Sequence, residues 1–114
     1  MIEVKVTYSK KTFKSGREVF HYKDIIIKGH SSDGTINSIK CCAGVTAITC
    51  GVLNLLEATK CEVEVNKGYF HYKAHTGVEE EVNYAMNCLI YQIDSISMVY
   101  PSFFKEFEFI EEKN

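Results

Sequence analysis

Hydrophobic and polar residues alternate in several stretches of the chain, and each alternating stretch predicts a half-buried β-strand. Ser15-Gly16 and Lys67-Gly68 are turn signals, and each is followed by a returning strand. The end of the second strand, Ile25–Ile27, is apolar on both faces, so we expect it inside the sheet and covered on both sides there. The predicted strands cover residues 2–8, 18–28, 61–66, 69–75 and 102–110.

Two longer stretches carry apolar residues at the spacing of an α-helix. We expect the first helix over residues 39–58, with Ser38 as its N-cap. The second should cover residues 77–99, because Pro101 cannot continue a helix. Its core-facing stripe is predicted to contain Val82, Met86, Leu89, Ile93 and Ile96.

The resulting order, β-β-α-β-β-α-β, predicts an α+β fold. We expect a two-layer sandwich in which two helices pack on a mainly antiparallel sheet. A chain of 114 residues suits one domain, residues 1–114.

The overall composition excludes some classes of function. The formal net charge of −2 gives no basic surface for nucleic acid. No apolar run approaches the ~20 residues of a membrane span. The first residues alternate and carry charge, unlike a signal peptide, so we expect a cytoplasmic protein without a membrane anchor.

The chain has five cysteines, an odd number without a Cys-x-x-Cys pair. In a cytoplasm they should be reduced thiols, and no structural metal site is expected. We interpret Cys50, Cys61 and Cys88 as small buried hydrophobic residues.

The two adjacent cysteines of the first helix, Cys41 and Cys42, are predicted to face different surroundings. With ~100° per residue, Cys41 falls on the core stripe and Cys42 at its edge, facing a cleft. The opposite face carries small residues, which let another backbone approach closely in a tightly packed helix pair or a subunit interface. The core stripe is Cys41, Val45, Ile48, Val52 and Leu55, and the small face is Gly44, Ala47, Gly51 and Ala58.

His30 and Cys42 are the candidate reactive pair. A thiol in the first helical turn is stabilised as thiolate by the helix dipole, and the helix-start N–H groups around Cys42-Ala43 would face an oxyanion. His30 directly follows the second strand, so a loop that folds back brings its imidazole to the thiol as a base. The spacing equally fits a polar loop histidine beside a core cysteine.

These residues resemble a known family. Gly29-His30 followed by Cys42-Ala43-Gly44-Val45-Thr46 is similar to the Gly-His…Cys-Ala-Ala/Gly-x-Ser/Thr pattern of the ribosomal-processing cysteine protease (Prp) family. The stretch from Gly68 to Lys73, GYFHYK, resembles that family's Gly-x-Phe-x strand. Length and element order agree as well, so the resemblance covers nearly the whole chain.

The resemblance implies a catalytic dyad of His30 and Cys42 in a small sandwich that forms homodimers. It implies a cytoplasmic bacterial enzyme that removes a short N-terminal extension from a large-subunit ribosomal protein, without metal or organic cofactor. A phage-borne member that processes a phage structural protein is an alternative. The residues expected to contact the peptide substrate are Gly29, Ser31, Asp33, Ser38 and Thr46.

One position departs from the family pattern. Family members often have Asp three residues before the nucleophile, where this chain has Ile39. Asp33 and Asn37 are the candidates to take over the role of that acid in orienting His30. Two other readings stay open: a catalytically silent module that holds a peptide in the same cleft, and a redox role for Cys41-Cys42, which a strained vicinal disulfide disfavours.

Overall fold

A computed structural model describes residues 1–30, 33–56, 61–75 and 80–113. The fold is the predicted α+β arrangement, with a five-stranded sheet ordered β3-β4-β2-β1-β5. Every pairing is antiparallel except that of the first and last strands. The elements are β1 (Glu3–Thr12), β2 (Glu18–Lys28), α1 (Ile36–Leu53), β3 (Cys61–Asn66), β4 (Tyr69–Ala74), α2 (Glu80–Val99), a short 3-10 turn (Pro101–Phe103) and β5 (Glu108–Glu111).

The core lies between one face of the sheet and the two helices. Alternate residues of the strands point into it, among them Val6, Ile25 and Tyr72, which are nearly inaccessible to solvent. β2 lies inside the sheet, as predicted. Ile26, however, faces the other side and is only half-buried. The expectation that this strand end is covered on both sides is therefore wrong, because both described helices contribute to the same core.

A bulge in β2 changes which of its residues face the core. Thr7 pairs with Asp24 and Tyr8 with Tyr22, so Lys23 is an extra residue in β2. An extra residue reverses the alternation of side chains. Tyr22 and Ile25 are consequently both buried, although three positions separate them.

The apolar stripe of α2 packs as the spacing predicts. Val82, Met86, Leu89 and Ile93 are buried, and Ile96 is half-buried against the core. The side chain of Asn83 joins the helix to the sheet: it accepts from the Tyr22 amide and donates to the Phe20 carbonyl, both at 2.9 Å. The predicted first residues, 77–79, lie outside the described residues.

The first helix begins three residues earlier than predicted. Thr35 is the N-cap: its backbone is extended and its hydroxyl accepts from the Ser38 amide at 3.2 Å. Ser38 is buried inside the first turn and donates its own hydroxyl to the Thr35 carbonyl. α1 ends at Leu53, with Asn54 as C-cap, so Leu55 lies beyond the helix and is exposed, not in the core.

The last predicted strand is also shorter than expected. Pro101 ends α2 as predicted but starts a 3-10 turn, and regular pairing begins only at Glu108. Between these points the chain is held by Ile2, whose amide donates to Phe103 and whose carbonyl accepts from Lys105. A single bridge of this kind fixes the segment without forming a strand.

α1 is unusually apolar for a helix with so much exposed surface. Its 18 residues have a mean hydropathy of 1.5 and 22% of them are buried, so by length and composition alone it is able to cross a membrane. The expectation that no apolar run approaches that length is therefore wrong for this helix. One such helix is weak support for a span, since core helices of soluble domains pass the same test. The exposed part of α1 includes Ile36, Ile39, Ala43 and Ala47.

Candidate active site

A cleft of about 520 Å³ lies where α1 faces the β3–β4 turn and the ends of β1 and β2. Its walls are mostly apolar, and its polar groups come from His30, from the α1 residues Cys42, Thr46 and Thr49, and from the turn. The lining residues are Ile2, Ile27, Gly29, His30, Cys42, Val45, Thr46, Thr49, Cys50, Val65, Asn66, Lys67, Gly68, Tyr69 and Phe70.

Two glycines hold His30 at the cleft. The Gly29 amide donates to the Gly68 carbonyl at 3.0 Å, which ties the end of β2 to the β3–β4 turn. Gly29 has φ +108° and Gly68 has φ +69°, backbone conformations that glycine adopts readily. A Cβ on Gly68 would overlap the His30 imidazole. The ring therefore packs directly on the backbone of the turn.

Cys41 and Cys42 have the different environments that the helical wheel predicts. Cys41 is fully buried in the core, whereas Cys42 is half-buried and lines the cleft. His30, from the end of β2, lines the same cleft. The structure thus brings the two predicted catalytic side chains to one site from two elements.

Cys42 is not in the first turn of its helix. It is the seventh residue of α1, which begins at Ile36. The amide of Ile39 already has an acceptor within the turn, the Thr35 carbonyl, and later amides continue that ladder. The effect of the dipole falls off within one turn. The first-turn arguments for a thiolate and for an oxyanion site at Cys42-Ala43 are therefore wrong.

The remaining cysteines divide by exposure. Cys61 is buried as predicted, and desolvation raises the pKa of its thiol. Cys88 is half-buried. Cys50 is exposed and lines the cleft two helical turns after Cys42, so its interpretation as a buried residue is wrong. Sequence reasoning missed Cys50, Asn66 and Lys67 as cleft residues, because only the packing of α1 beside the turn brings them there.

The residues predicted to contact substrate lie in different places. Gly29 and Thr46 line the cleft. Asp33 is exposed and accepts hydrogen bonds from the hydroxyl and the amide of Thr35, which hold the pKa of its carboxyl below the usual value. Ser38 is buried at the helix cap and is not a lining residue. Ser31 lies outside the described residues.

Neither candidate replacement for the family's acid lies in the cleft. Asp33 is engaged at the start of α1, and Asn37 is exposed in its first turn. Ile39, at the position of the acid, is 64% exposed. The described residues that line the cleft include no carboxylate. Among these lining residues, the His30 ring packs against the backbone of Gly68.

A sequence model of a family described as "Cysteine protease Prp" matches residues 1–105. The chain belongs to the cysteine protease Prp family. Family membership makes it a cysteine protease and confirms the resemblance found in its Gly-His and Cys motifs. Comparison with curated proteins gave no match.

Solved structures share the fold of this Prp family member. The ribosomal processing protease Prp from S. aureus, with a covalently linked product peptide, is 19% identical, covers 96% of this chain and 99% of its own, and has a TM-score of 0.72. The same protease with a substrate peptide is 18% identical over 98% and 100%, with a TM-score of 0.67. SMU.848 from Streptococcus mutans is 17% identical over 96% of both chains, with a TM-score of 0.66.

Proposed function

We propose that this chain removes a short N-terminal extension from the precursor of a large-subunit ribosomal protein, with His30 and Cys42 as a catalytic dyad. The observation that carries the proposal is that both side chains line one cleft, although His30 follows the end of β2 and Cys42 lies in α1. The S. aureus relative described as a ribosomal processing protease, with its peptide complexes, supports the substrate class.

The chemistry is peptide hydrolysis through a covalent intermediate. His30 takes the proton of the Cys42 thiol, and the sulfur forms a bond to the carbonyl carbon of the scissile peptide. When the tetrahedral species collapses, the C–N bond breaks and His30 gives the proton to the leaving amine. Water then adds to the thioester with His30 as base. Cleavage of the C–S bond releases the acid and restores the thiol.

The cleft walls suit an extended peptide with apolar side chains on either side of the scissile bond. Val45 and Val65 lie in them half-buried, and their remaining exposed area is removed from water when such side chains bind. Gly29 and Thr46 are positioned to contact the peptide backbone. Asn66 and Lys67, on the turn, are positioned to contact polar groups at the rim.

The experiment compares three cysteines of one helix. The purified chain and its Cys42→Ala, Cys41→Ala and Cys50→Ala variants are incubated with a ribosomal protein precursor that carries its extension. We expect Cys42→Ala to lower kcat by more than about 10³-fold, with cleavage kept in the other two. Cleavage that survives Cys42→Ala contradicts the dyad. Cleavage of a phage structural precursor in place of the ribosomal one assigns the alternative substrate.

The catalytically silent module that the sequence left open does not agree with membership of a cysteine protease family. One measurement tests this directly. Turnover of a precursor peptide excludes the silent module, whereas binding without cleavage, with the same affinity in Cys42→Ala, would contradict the protease.

We propose further that the chain forms a homodimer through the exposed apolar face of α1. Ile36 and Ile39 are 68% and 64% exposed on this face, and Ala43 and Ala47 extend it. Burying this face against a second copy removes its apolar area from water. Sedimentation should show a dimer that Ile39→Lys dissociates. Met98→Lys, at a 75% exposed position on α2, is the control. Dissociation by the control alone contradicts this interface.

The proposed compartment is the cytoplasm. A cysteine nucleophile requires a reduced thiol, and reducing compartments maintain one. None of the described cysteines is joined to another in a disulfide. Fractionation of cells that express the tagged full chain tests this, and recovery in the membrane fraction contradicts it.

A further inference from the structure

A second pocket, which we call the aromatic pocket, lies between α2 and the sheet. It has a volume of about 340 Å³ and lies farther along β1 and β2 than the cleft, toward the turn that joins these strands. From Ile2 to Tyr8 the distance along β1 is ~20 Å at 3.3 Å per residue. Its lining residues are Tyr8, Phe20, Tyr22, Asn87, Ile90, Tyr91, Asp94, Phe107 and Phe109.

Aromatic rings from β1, β2, α2, β5 and the connection before β5 form this pocket. The centroids of Tyr8 and Phe20 lie 4.9 Å apart on adjacent strands, and those of Phe107 and Phe109 lie 6.3 Å apart near β5. Tyr91 contributes a ring from α2. Three of these rings are open to solvent: Phe20 is 44% exposed, Tyr91 67% and Phe109 52%. Exposed, clustered rings of this kind mark a binding surface.

The polar groups of the aromatic pocket favour a positively charged ligand. Asp94, three residues after Tyr91 on α2, places an exposed carboxylate in the wall. The Tyr22 hydroxyl donates to the Asn87 side-chain oxygen at 2.7 Å. Neither lysine nor arginine is among the described lining residues. Lys10, next along the Tyr8 face of β1, is paired with Glu18 at 3.0 Å.

We propose that the aromatic pocket binds the guanidinium of an arginine-bearing peptide segment. Rings attract a cation through their negative faces, and the planar guanidinium stacks on them. A carboxylate at the wall pairs with the same group through charge-assisted hydrogen bonds. The composition of the wall therefore selects a cation with a planar, partly apolar body. This site does not depend on the chemistry of His30 and Cys42.

The test compares arginine with its neutral isostere. N-acetyl-arginine amide and N-acetyl-citrulline amide have nearly the same shape but differ in charge. Each is titrated into the isotopically labelled full chain, and NMR chemical shifts of the pocket residues are followed. We expect arginine to shift the resonances of Tyr91 and Asp94 and to bind more weakly as salt is added. Equal binding of citrulline, or no binding of arginine, overturns the proposal.

Two variants with a matched control locate the site. Asp94→Asn keeps shape and removes the charge, and we expect it to weaken arginine binding by about threefold to tenfold. Tyr91→Ala should weaken it similarly. Tyr84→Ala removes an equally exposed tyrosine (70%) two turns earlier on α2, outside the pocket, and should leave binding unchanged. An equal loss in Tyr84→Ala overturns the assignment.

A third ligand separates a cation site from a general apolar one. N-acetyl-phenylalanine amide fits a ring-lined cavity but has no charge for Asp94. Tighter binding of the phenylalanine amide than of the arginine amide overturns the proposal. A second result also overturns it: Tyr91→Ala changes the oligomeric state while the parent chain binds no arginine amide. Cleavage of the ribosomal precursor is a separate readout, so a failure here is distinguishable from a failure of the dyad.

Discussion

Gly68 contributes only backbone to the cleft, yet the position of His30 depends on it. The imidazole packs on Gly68 where a side chain would stand, and the Gly68 carbonyl accepts from the residue before His30. The sequence marks Gly68 as a turn glycine and as part of a family-like strand. It does not show that the turn meets the end of β2, since 38 positions separate Gly68 from His30 and only the pairing of β2 with β4 brings them together.

Substitution of Gly68 by Ala should displace His30. The new methyl group overlaps the imidazole, so the ring must leave its present position in the cleft. A shift of ~1 Å in a catalytic group costs about 10²-fold in rate. We expect kcat/KM for the precursor to fall by about that factor, measured at saturating and subsaturating substrate.

Gly16→Ala is the control for backbone strain. Gly16 has φ +86° and no neighbouring atom within 4 Å of the position of an added Cβ. Alanine at this position therefore causes backbone strain but no steric overlap. Both substitutions should lower the free energy of unfolding by about 1–2 kcal/mol. Only Gly68→Ala should impair cleavage. Equal cleavage rates in the two variants contradict the role assigned to Gly68.

At the scale of elements, α1 shows what sequence patterns leave undecided. Thr35 and Ser38 are both good capping residues, and both precede apolar positions. The choice depends on the backbone before the helix, where Asp33 accepts from Thr35 and fixes it in an extended conformation. Two strands have the expected bounds, β2 and β3, because turn signals mark where they begin or end. β1 was predicted only to residue 8 but continues to Thr12, since its polar end still pairs with β2.

Removal of the Thr35 hydroxyl should destabilise α1 at its start. Thr35→Ala leaves the Ser38 amide without its side-chain acceptor, and the loss of an N-cap costs about 1 kcal/mol. Urea unfolding should show this decrease, and Thr35→Ser should restore most of it because the hydroxyl is kept. A decrease of the same size in Thr35→Ser would show that the methyl group, not the cap, is responsible.

At the scale of the whole molecule, the sequence predicts the two layers of the fold better than it predicts features built from distant parts of the chain. The α+β order and the α2 stripe follow from periodicity, which is local. The aromatic pocket does not, because its rings come from β1, β2, α2 and the chain near β5, and a bulge in β2 decides where Tyr22 points. The last strand was overestimated for a similar reason: Ile2, at the other end of the chain, holds the segment before it.

The burial of Tyr72 makes the stability of the whole fold depend on alkaline pH. Tyr72 is 1% exposed in the centre of the core, and burial raises its pKa from 10.0 to about 12. Because the folded chain binds the Tyr72 proton more tightly than the unfolded chain does, this difference stabilises the fold fully below pH 10. The stabilisation is lost as the pH rises from 10 to 12 and the hydroxyl ionises in the folded chain too. Two pKa units correspond to about 2–3 kcal/mol.

Urea unfolding of the chain and of Tyr72→Phe between pH 8 and about 12 tests this dependence. Every other titratable group is common to the two proteins, so the difference between their profiles isolates Tyr72. The variant should lose less stability than the parent chain above pH 10, by up to about 2–3 kcal/mol. Tyr22, whose pKa burial also raises, remains in both proteins and leaves a residual slope. Identical pH profiles would mean that the Tyr72 hydroxyl titrates equally in the folded and unfolded chains, against its burial in the core.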